Sequence, residues 1–329
     1  MTSIPRAPTR RTLLGLAAAP FILADRAHGQ GGGVAPLRII VPFPPGGPTD
    51  AVSRILANEL IHDLRRAVVV ENKTGASGTI GTRLALAGKP DGTTLLIGNN
   101  QAQATAHYLI RDAGYNPRTD LKPVSGIADM HHILVVRKGL GISDVPALIA
   151  KAKEAPGRLN YGSTGVGSGS HLAMELFKVR TDTRMQHVPF GGAAQMVAEI
   201  VAERLDVALA VLPAVVGLIE AKSLVALAVA AHGRAPQLAD VPTLAQAGVT
   251  DAEAESWLGL FVDARVPDTI VTQMGGYVRR ALARPAVKTR IEALGMSLAP
   301  RTSDEFRVFQ AREIARWGEV IQIVGLKPE

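Results

Sequence analysis

Two short stretches of glycine, proline and small hydroxyl residues are the parts of this 329-residue sequence best suited to chemistry. The first is Pro42-Phe43-Pro44-Pro45-Gly46-Gly47-Pro48-Thr49-Asp50. It follows a β-branched apolar run, Leu37 to Val41, and precedes a helical pattern with Val52, Ile55, Leu56 and Leu60 on one face. A strand, a rigid loop and a helix start leave backbone N–H groups aimed outward, an arrangement that can hold an anion. The second stretch, Gly162-Ser163-Thr164-Gly165-Val166-Gly167-Ser168-Gly169-Ser170, repeats that layout between a short strand and a helix carrying Leu172, Leu176 and Phe177. Its bare amides and hydroxyls suit a nest for a carboxylate. On composition alone the first loop fits a plain turn equally well, since Pro45-Gly46-Gly47 turns readily. Asp50 would repel an anion. It reads as a helix N-terminal charge, or as a group holding the loop through backbone N–H.

Other chemistries find less support. Ser163 or Ser168 with His171 would make a hydrolase, but no serine sits in a Gly-x-Ser-x-Gly elbow. Gly165-Val166-Gly167 starts a dinucleotide fingerprint, yet Ser170 stands where its third glycine belongs. His131 and His132 are adjacent beside a strand, so their rings face opposite sides and cannot chelate one metal. The chain has no cysteine, which excludes disulfides, thiol catalysis and zinc–thiolate sites. No cofactor and no metal are expected.

The elements that must position these loops alternate strand and helix patterns, which implies a mostly parallel sheet with helices on its faces. Strands are expected at residues 67–71, 93–98, 133–136, 185–189, 206–211, 223–231 and 257–262, and a final amphipathic helix over 303–323. Asn99, Asn100 and Gln101 lie at the C-terminal end of one such strand, where open α/β sheets bind ligands. Phe306, Phe309, Ile314, Trp317 and Ile321 make the last helix a packing surface.

Aromatic residues are 4% of the chain, too few for a base-stacking platform, and the Lys and Arg residues are scattered. A nucleic-acid partner is therefore not expected. Net charge is +7, and four arginines against Asp25 in residues 1–29 account for three of those charges. Those residues read as a secretory signal: Arg6, Arg10 and Arg11, an apolar run from Leu13 to Leu23, then Ala27-His28-Gly29. Thr9-Arg10-Arg11 also fits a twin-arginine signal. The expectation is a cleaved leader at residues 1–29 and a soluble, periplasmic mature protein.

Several blocks together carry a resemblance. Ile40 to Asp50 (Ile-Val-Pro-Phe-Pro-Pro-Gly-Gly-x-x-Asp), Val70 to Gly78 (Val-Glu-Asn-Lys-x-Gly-Ala-x-Gly) and Pro90 to Leu96 resemble the Bug-type solute-binding proteins of tripartite tricarboxylate transporters. So do Gly162 to Leu172, His187 to Phe190 and Asp240 to Gly248. The resemblance implies an α/β, two-lobed periplasmic-binding-protein fold of the type II, Venus flytrap kind, each lobe a mixed, mostly parallel sheet flanked by helices. It implies lobes made of residues 34–133 with 231–329, and of 134–230. It implies a monomer that captures a small carboxylate or related polar metabolite and presents it to membrane transporter subunits. The matching binding positions are Phe43, Pro44, Gly47, Thr49 and Asp50 in one lobe, and Ser163, Thr164, Gly165 and Ser168 in the other. Two departures bear on specificity. Gly191 follows Phe190 where the family often has lysine, and Asn99 to Gln103 replace a loop that often contains threonine and histidine. Asn99, Gln101, Phe190 and Gly191 are thus the expected readers of the ligand's far end. A periplasmic sensing module of the same fold and a secreted serine hydrolase remain as alternatives.

Overall fold

The computed structural model describes residues 35–328. The leader expected at residues 1–29 lies outside them.

Among the described residues, ten strands form one sheet. They are β1 (Leu37–Val41), β2 (Val68–Asn72), β3 (Thr94–Asn99), β4 (Leu121–Arg137), β5 (Asn160–Ser163), β6 (Gln186–Pro189), β7 (Val207–Val211), β8 (Leu224–Val229), β9 (Glu255–Asp263) and β10 (Ser297–Leu298). The order is β2-β1-β3-β9-β4-β7-β5-β6, with β8 and β10 also paired to β4. β1 runs parallel to β2 and β3, and β5 runs parallel to β6 and β7. The helices are α1 (Pro48–Leu64), α2 (Thr79–Leu86), α3 (Ala106–Leu109), α4 (Val145–Glu154), α5 (Gly169–Thr181), α6 (Ala193–Val201), α7 (Leu212–Glu220), α8 (Asp268–Leu282), α9 (Pro285–Ala293) and α10 (Ser303–Val324).

β4 joins the two ends of this sheet. Its residues 121–131 pair antiparallel with β9, and residues 132–137 pair with β7 and β8. The amino-acid pattern suggests a strand only over 133–136, because Pro123, Gly126 and Asp129 interrupt the rest. The structure carries the strand through them with register shifts between Pro123 and Ser125 and between Gly126 and Ala128. A bulge removes the ladder position that proline cannot fill and increases local twist.

α10 locks across this sheet. Thr302 and Glu305 form a capping box at its start, and Gly325 ends it with φ +71°. Phe306 and Trp317 are fully buried and share one core with Leu172 and Phe177 of α5 and Trp257 of β9. Glu313, also buried, accepts from the Trp257 indole at 3.1 Å and the Trp317 indole at 3.0 Å. Two N–H donors satisfy a carboxylate oxygen that would otherwise be costly to bury. The expected packing role of this helix is what its buried face performs.

Two glycines test this packing with opposite signs. A β-carbon at Gly259 of β9 would overlap the buried Phe306 ring, so Gly259→Ala should destabilise by about 1–3 kcal/mol. Gly217, inside α7, has nothing within 4 Å of that position, so Gly217→Ala should stabilise by about 0.5–1 kcal/mol. Urea unfolding midpoints of the two variants against the parent check both.

Candidate functional site

Each glycine/hydroxyl loop is held from behind by a polar network. In the first, the Asp50 carboxylate accepts from the Gly46 amide (3.0 Å), Arg54 Nε (3.0 Å) and Asn72 Nδ2 (3.0 Å). Asn72 Nδ2 also donates to the Phe43 carbonyl at 3.0 Å. Burial alone would raise the Asp50 pKa; the bonds from Arg54, Gly46 and Asn72 outweigh it and hold the group below the usual carboxylate range. The carboxylate is thereby ionised, neutralised and turned toward the loop's own backbone.

The second loop rests on a stack of three rings. Tyr161 lies 4.9 Å from His187, and His187 lies 4.0 Å from His171, nearly parallel in both cases. His187 Nε2 is 2.6 Å from Ser163 Oγ, and His171 Nδ1 accepts from the Gly167 amide at 3.2 Å. Ser168 caps α5 by accepting from the His171 amide, and Ser170 Oγ accepts from the Thr164 amide at 3.0 Å. Burial lowers the pKa of His171 to about 3 and of His187 to about 4. Neither serine is poised with His171 for nucleophilic attack: Ser168 is a helix cap, and Ser163 is fully buried against His187.

The loops meet. Ser77 Oγ donates to the Val166 carbonyl at 2.9 Å, and Thr105 Oγ1 donates to the Gly167 carbonyl at 2.6 Å. Ala76 and Ser77 adopt φ +45° and +54°, a left-handed pair that costs non-glycine residues energy.

Between the loops lies a cavity of about 280 Å³. The helices α1, α5 and α6 all begin on it, at Pro48 and Thr49, at Gly169 and Ser170, and at Ala193 and Ala194. α1 and α6 have no side-chain cap at their N-termini. Among the described residues, no lysine, arginine, aspartate or glutamate lines the cavity. Three positive helix ends, two of them without a side-chain cap, with no carboxylate in the lining and the Asp50 carboxylate at the start of α1 paired with Arg54, form a field that favours an anion. Among the described residues no cluster of His, Asp and Glu could hold a metal ion.

Of the residues singled out from the sequence, Phe43, Pro44, Gly47, Thr49, Asn99, Gln101, Thr164 and Ser168 line this cavity. Asp50, Ser163, Gly165, Phe190 and Gly191 are outside its lining. Asp50 and Ser163 sit in the supporting networks. Gly165, at φ +115°, lets the loop pass Gln101, whose Nε2 would be 3.1 Å from a β-carbon there. Phe190 is half-buried against the core that α6 and α7 share, and its amide donates to the Ser163 carbonyl at 2.9 Å. The Gly191 amide donates to Gln195, and it is Gly192 that faces the cavity, against Pro44. Asn99 lines the cavity with its side-chain oxygen already accepting from the Ala102 amide at 3.1 Å.

Met130, His132, Gln195 and Ser256 also line it and were not read from the sequence as binding residues; Asn100 and Ser170, from the strand end after β3 and the second loop, line it too. For His132 a signal existed: strand alternation puts one of two adjacent histidines on each face. His131 faces Glu255 at 3.1 Å, and His132 faces the cavity. For Ser256 no local signal exists, since it arrives from a strand 124 residues away from its neighbour His132.

The sequence matches the model of the "Tripartite tricarboxylate transporter family receptor" over residues 52–326. Protein BugT of Bordetella pertussis is 33% identical over 293 residues, covering 89% of this chain and 90% of that protein. The structure of R. palustris Rpa4515 with adipate superposes with a TM-score of 0.86 at 33% identity, covering 89% of this chain and 98% of that one. The periplasmic binding protein BugD superposes with a TM-score of 0.84 at 26% identity, covering 89% and 99%.

The buried rings predict a pH dependence. Burial also lowers His132 to about 4. Above about pH 6.5 these histidines are neutral both folded and unfolded. Below it the unfolded chain takes up protons that the folded chain refuses, so stability falls as pH drops toward about 4. A fully buried ring such as His132 costs about 1.4 kcal/mol per pH unit in that window. Asp50, whose pKa is lowered, keeps its stabilising contribution through this window and loses it only as pH falls below the ordinary carboxylate range. Urea midpoints should therefore drop between about pH 7 and pH 5, and His171→Asn should shrink the drop; a midpoint constant over that range contradicts it.

Proposed function

The chain belongs to the tripartite tricarboxylate transporter receptor family, and from that premise we propose that it binds a small carboxylate in this cavity and hands it to membrane transporter subunits. The fold is the α/β, two-lobed periplasmic-binding-protein fold. Its relatives are periplasmic binding proteins, and a periplasmic location after removal of a leader accords with them. The observation that carries the reading is the convergence of three helix N-termini on a cavity with no charged side chain. Backbone donors already in place bind an anion without reorganising, and they leave it able to depart, as a carrier requires. The adipate held by Rpa4515 belongs to the same chemical class.

The chain acts by binding, without turnover. The lobes are residues 34–133 with 231–329, and residues 134–230, and they close about the point where β4 changes partners. Support comes from the pairing of β4 with β9 up to His131 and with β7 and β8 from His132. The bonds from Ser77 and Thr105 to Val166 and Gly167 would then latch the closed form. Ligand would be gripped by the first loop (Phe43, Pro44, Gly47, Thr49) and the second (Thr164, Ser168), with Asp50, Ser163 and Gly165 shaping them.

A thermal-shift panel of mono-, di- and tricarboxylates, amino acids, sugars and amides tests this. A carboxylate at about 100 times its Kd should add about 2.7 kcal/mol of stability. A shift with sugars or neutral amides and none with any carboxylate overturns the reading. Ser77→Ala should weaken carboxylate binding by about tenfold or less, the worth of one hydrogen bond, chiefly through faster dissociation in stopped-flow measurements; unchanged kinetics would remove the latch.

A further inference from the structure

One wall of the cavity is polar, almost wholly buried and only partly satisfied. Asn100, His132 and Ser256 are 2%, 1% and 6% exposed, and all three line the cavity. They come from three places: the end of β3, the point where β4 changes partners, and the second residue of β9. They converge on Gly169, the first residue of α5. A β-carbon there would stand 2.7 Å from Ser256 Oγ, 2.8 Å from His132 Cε1 and 2.9 Å from Asn100 Nδ2.

The hydrogen-bonding capacities of this wall are fixed by its surroundings. His132 Nδ1 lies 3.1 Å from the Ala254 carbonyl. A carbonyl can only accept, so Nδ1 carries the proton. Burial keeps the ring neutral, with its pKa pushed down to about 4. His132 Nε2 is therefore an acceptor, and its one side-chain neighbour, Ser256 Oγ, is 3.5 Å away, too far for a good bond. Asn100 Nδ2 is a buried donor with no partner. A buried donor left unmade is costly, so the wall favours a ligand that completes it.

One group has both capacities. A hydroxyl can accept, as Asn100 Nδ2 requires, and donate, as His132 Nε2 requires. A second carboxylate would set a lone pair against the Nε2 lone pair, with no cation lining the cavity to balance its charge. A methylene would leave donor and acceptor both unmet.

We propose that Asn100, His132 and Ser256 form a hydroxyl-selecting subsite, so that the preferred ligand is a hydroxylated carboxylate with its hydroxyl neutral and its carboxylate on the helix ends. This rests on the carboxylate-binding reading above and narrows it to a substrate class.

The test is a matched four-carbon series titrated calorimetrically into the full mature chain: butyrate, its 2-, 3- and 4-hydroxy derivatives, and succinate. At least one hydroxy acid should bind about tenfold or more tightly than both butyrate and succinate, the effect of one well-placed hydrogen bond. In Asn100→Ala and His132→Phe that ratio should fall to about twofold or less, whatever change the altered wall imposes on butyrate affinity itself. The ratio is the readout, because a variant that merely loosens the cleft weakens every member of the series alike. Thermal midpoints of the unliganded variants identify any that fail to fold, and Ser256→Ala, the smallest change, then carries the comparison. Succinate or butyrate binding as tightly as every hydroxy acid, or a ratio unchanged in the variants, overturns the subsite while leaving the carboxylate reading intact. Absence of binding by every carboxylate in the series and the wider panel overturns both.

Discussion

A strand that serves two sheet ends is the constraint on which the rest of this structure depends. β4 pairs with β9 and β10 along its first part and with β7 and β8 along its last. Each set of partners brings its own parallel group, β1 to β3 on one side and β5 to β7 on the other. The two glycine/hydroxyl loops leave β1 and β5. Because both groups are tied to one continuous backbone, the loops can face each other across a single cavity. The bulges in β4 supply the twist, and His132, at the exchange of partners, becomes part of the cavity wall.

That cavity works by dipoles. Among the described residues its lining has no Lys, Arg, Asp or Glu side chain, yet three helices start on it. A lysine or arginine in such a dry site would bring a charge that must itself be desolvated when the cleft is empty. Backbone N–H groups carry only partial charge and are already oriented by the helices that own them. The result favours an anion with little cost to the empty protein. It also leaves ligand identity to neutral groups, where hydrogen-bond polarity decides which partner fits.

The charged residues and the second loop's histidines do their work one layer back. Asp50 is held by Gly46, Arg54 and Asn72, and it shapes the first loop without touching the cavity. Ser163, His187 and His171 do the same for the second, through a ring stack that stays neutral because it is buried. Placing ionic groups behind the loops lets them set backbone geometry while keeping their fields away from a negatively charged ligand.

Much of this was legible in the residues. The β-branched runs, the Pro/Gly loops and the helical faces mark local structure through φ restriction, missing donors and apolar period. They located both loops, most strands and the packing role of α10. They also pointed to eight cavity residues, among them Phe43, Thr49, Thr164 and Ser168. Local pattern could not show that β4 continues through Pro123 and Gly126, since only pairing with β9 makes that backbone extended. Nor could it separate Asn99 from Asn100. Adjacent in sequence, both line the cavity, but one has its side-chain oxygen engaged in the following turn and the other keeps an unmet donor. Ser256 and His132, 124 residues apart, become neighbours only when β9 is laid beside β4. The sequence by itself determined that this chain builds two strand–loop–helix units with glycine-rich loops, because the stiffness of proline and the freedom of glycine act on their own residues. Which side chains share the space between those loops was decided only by the tertiary structure, because proximity across a sheet depends on strand order and register, and no local energy term encodes either.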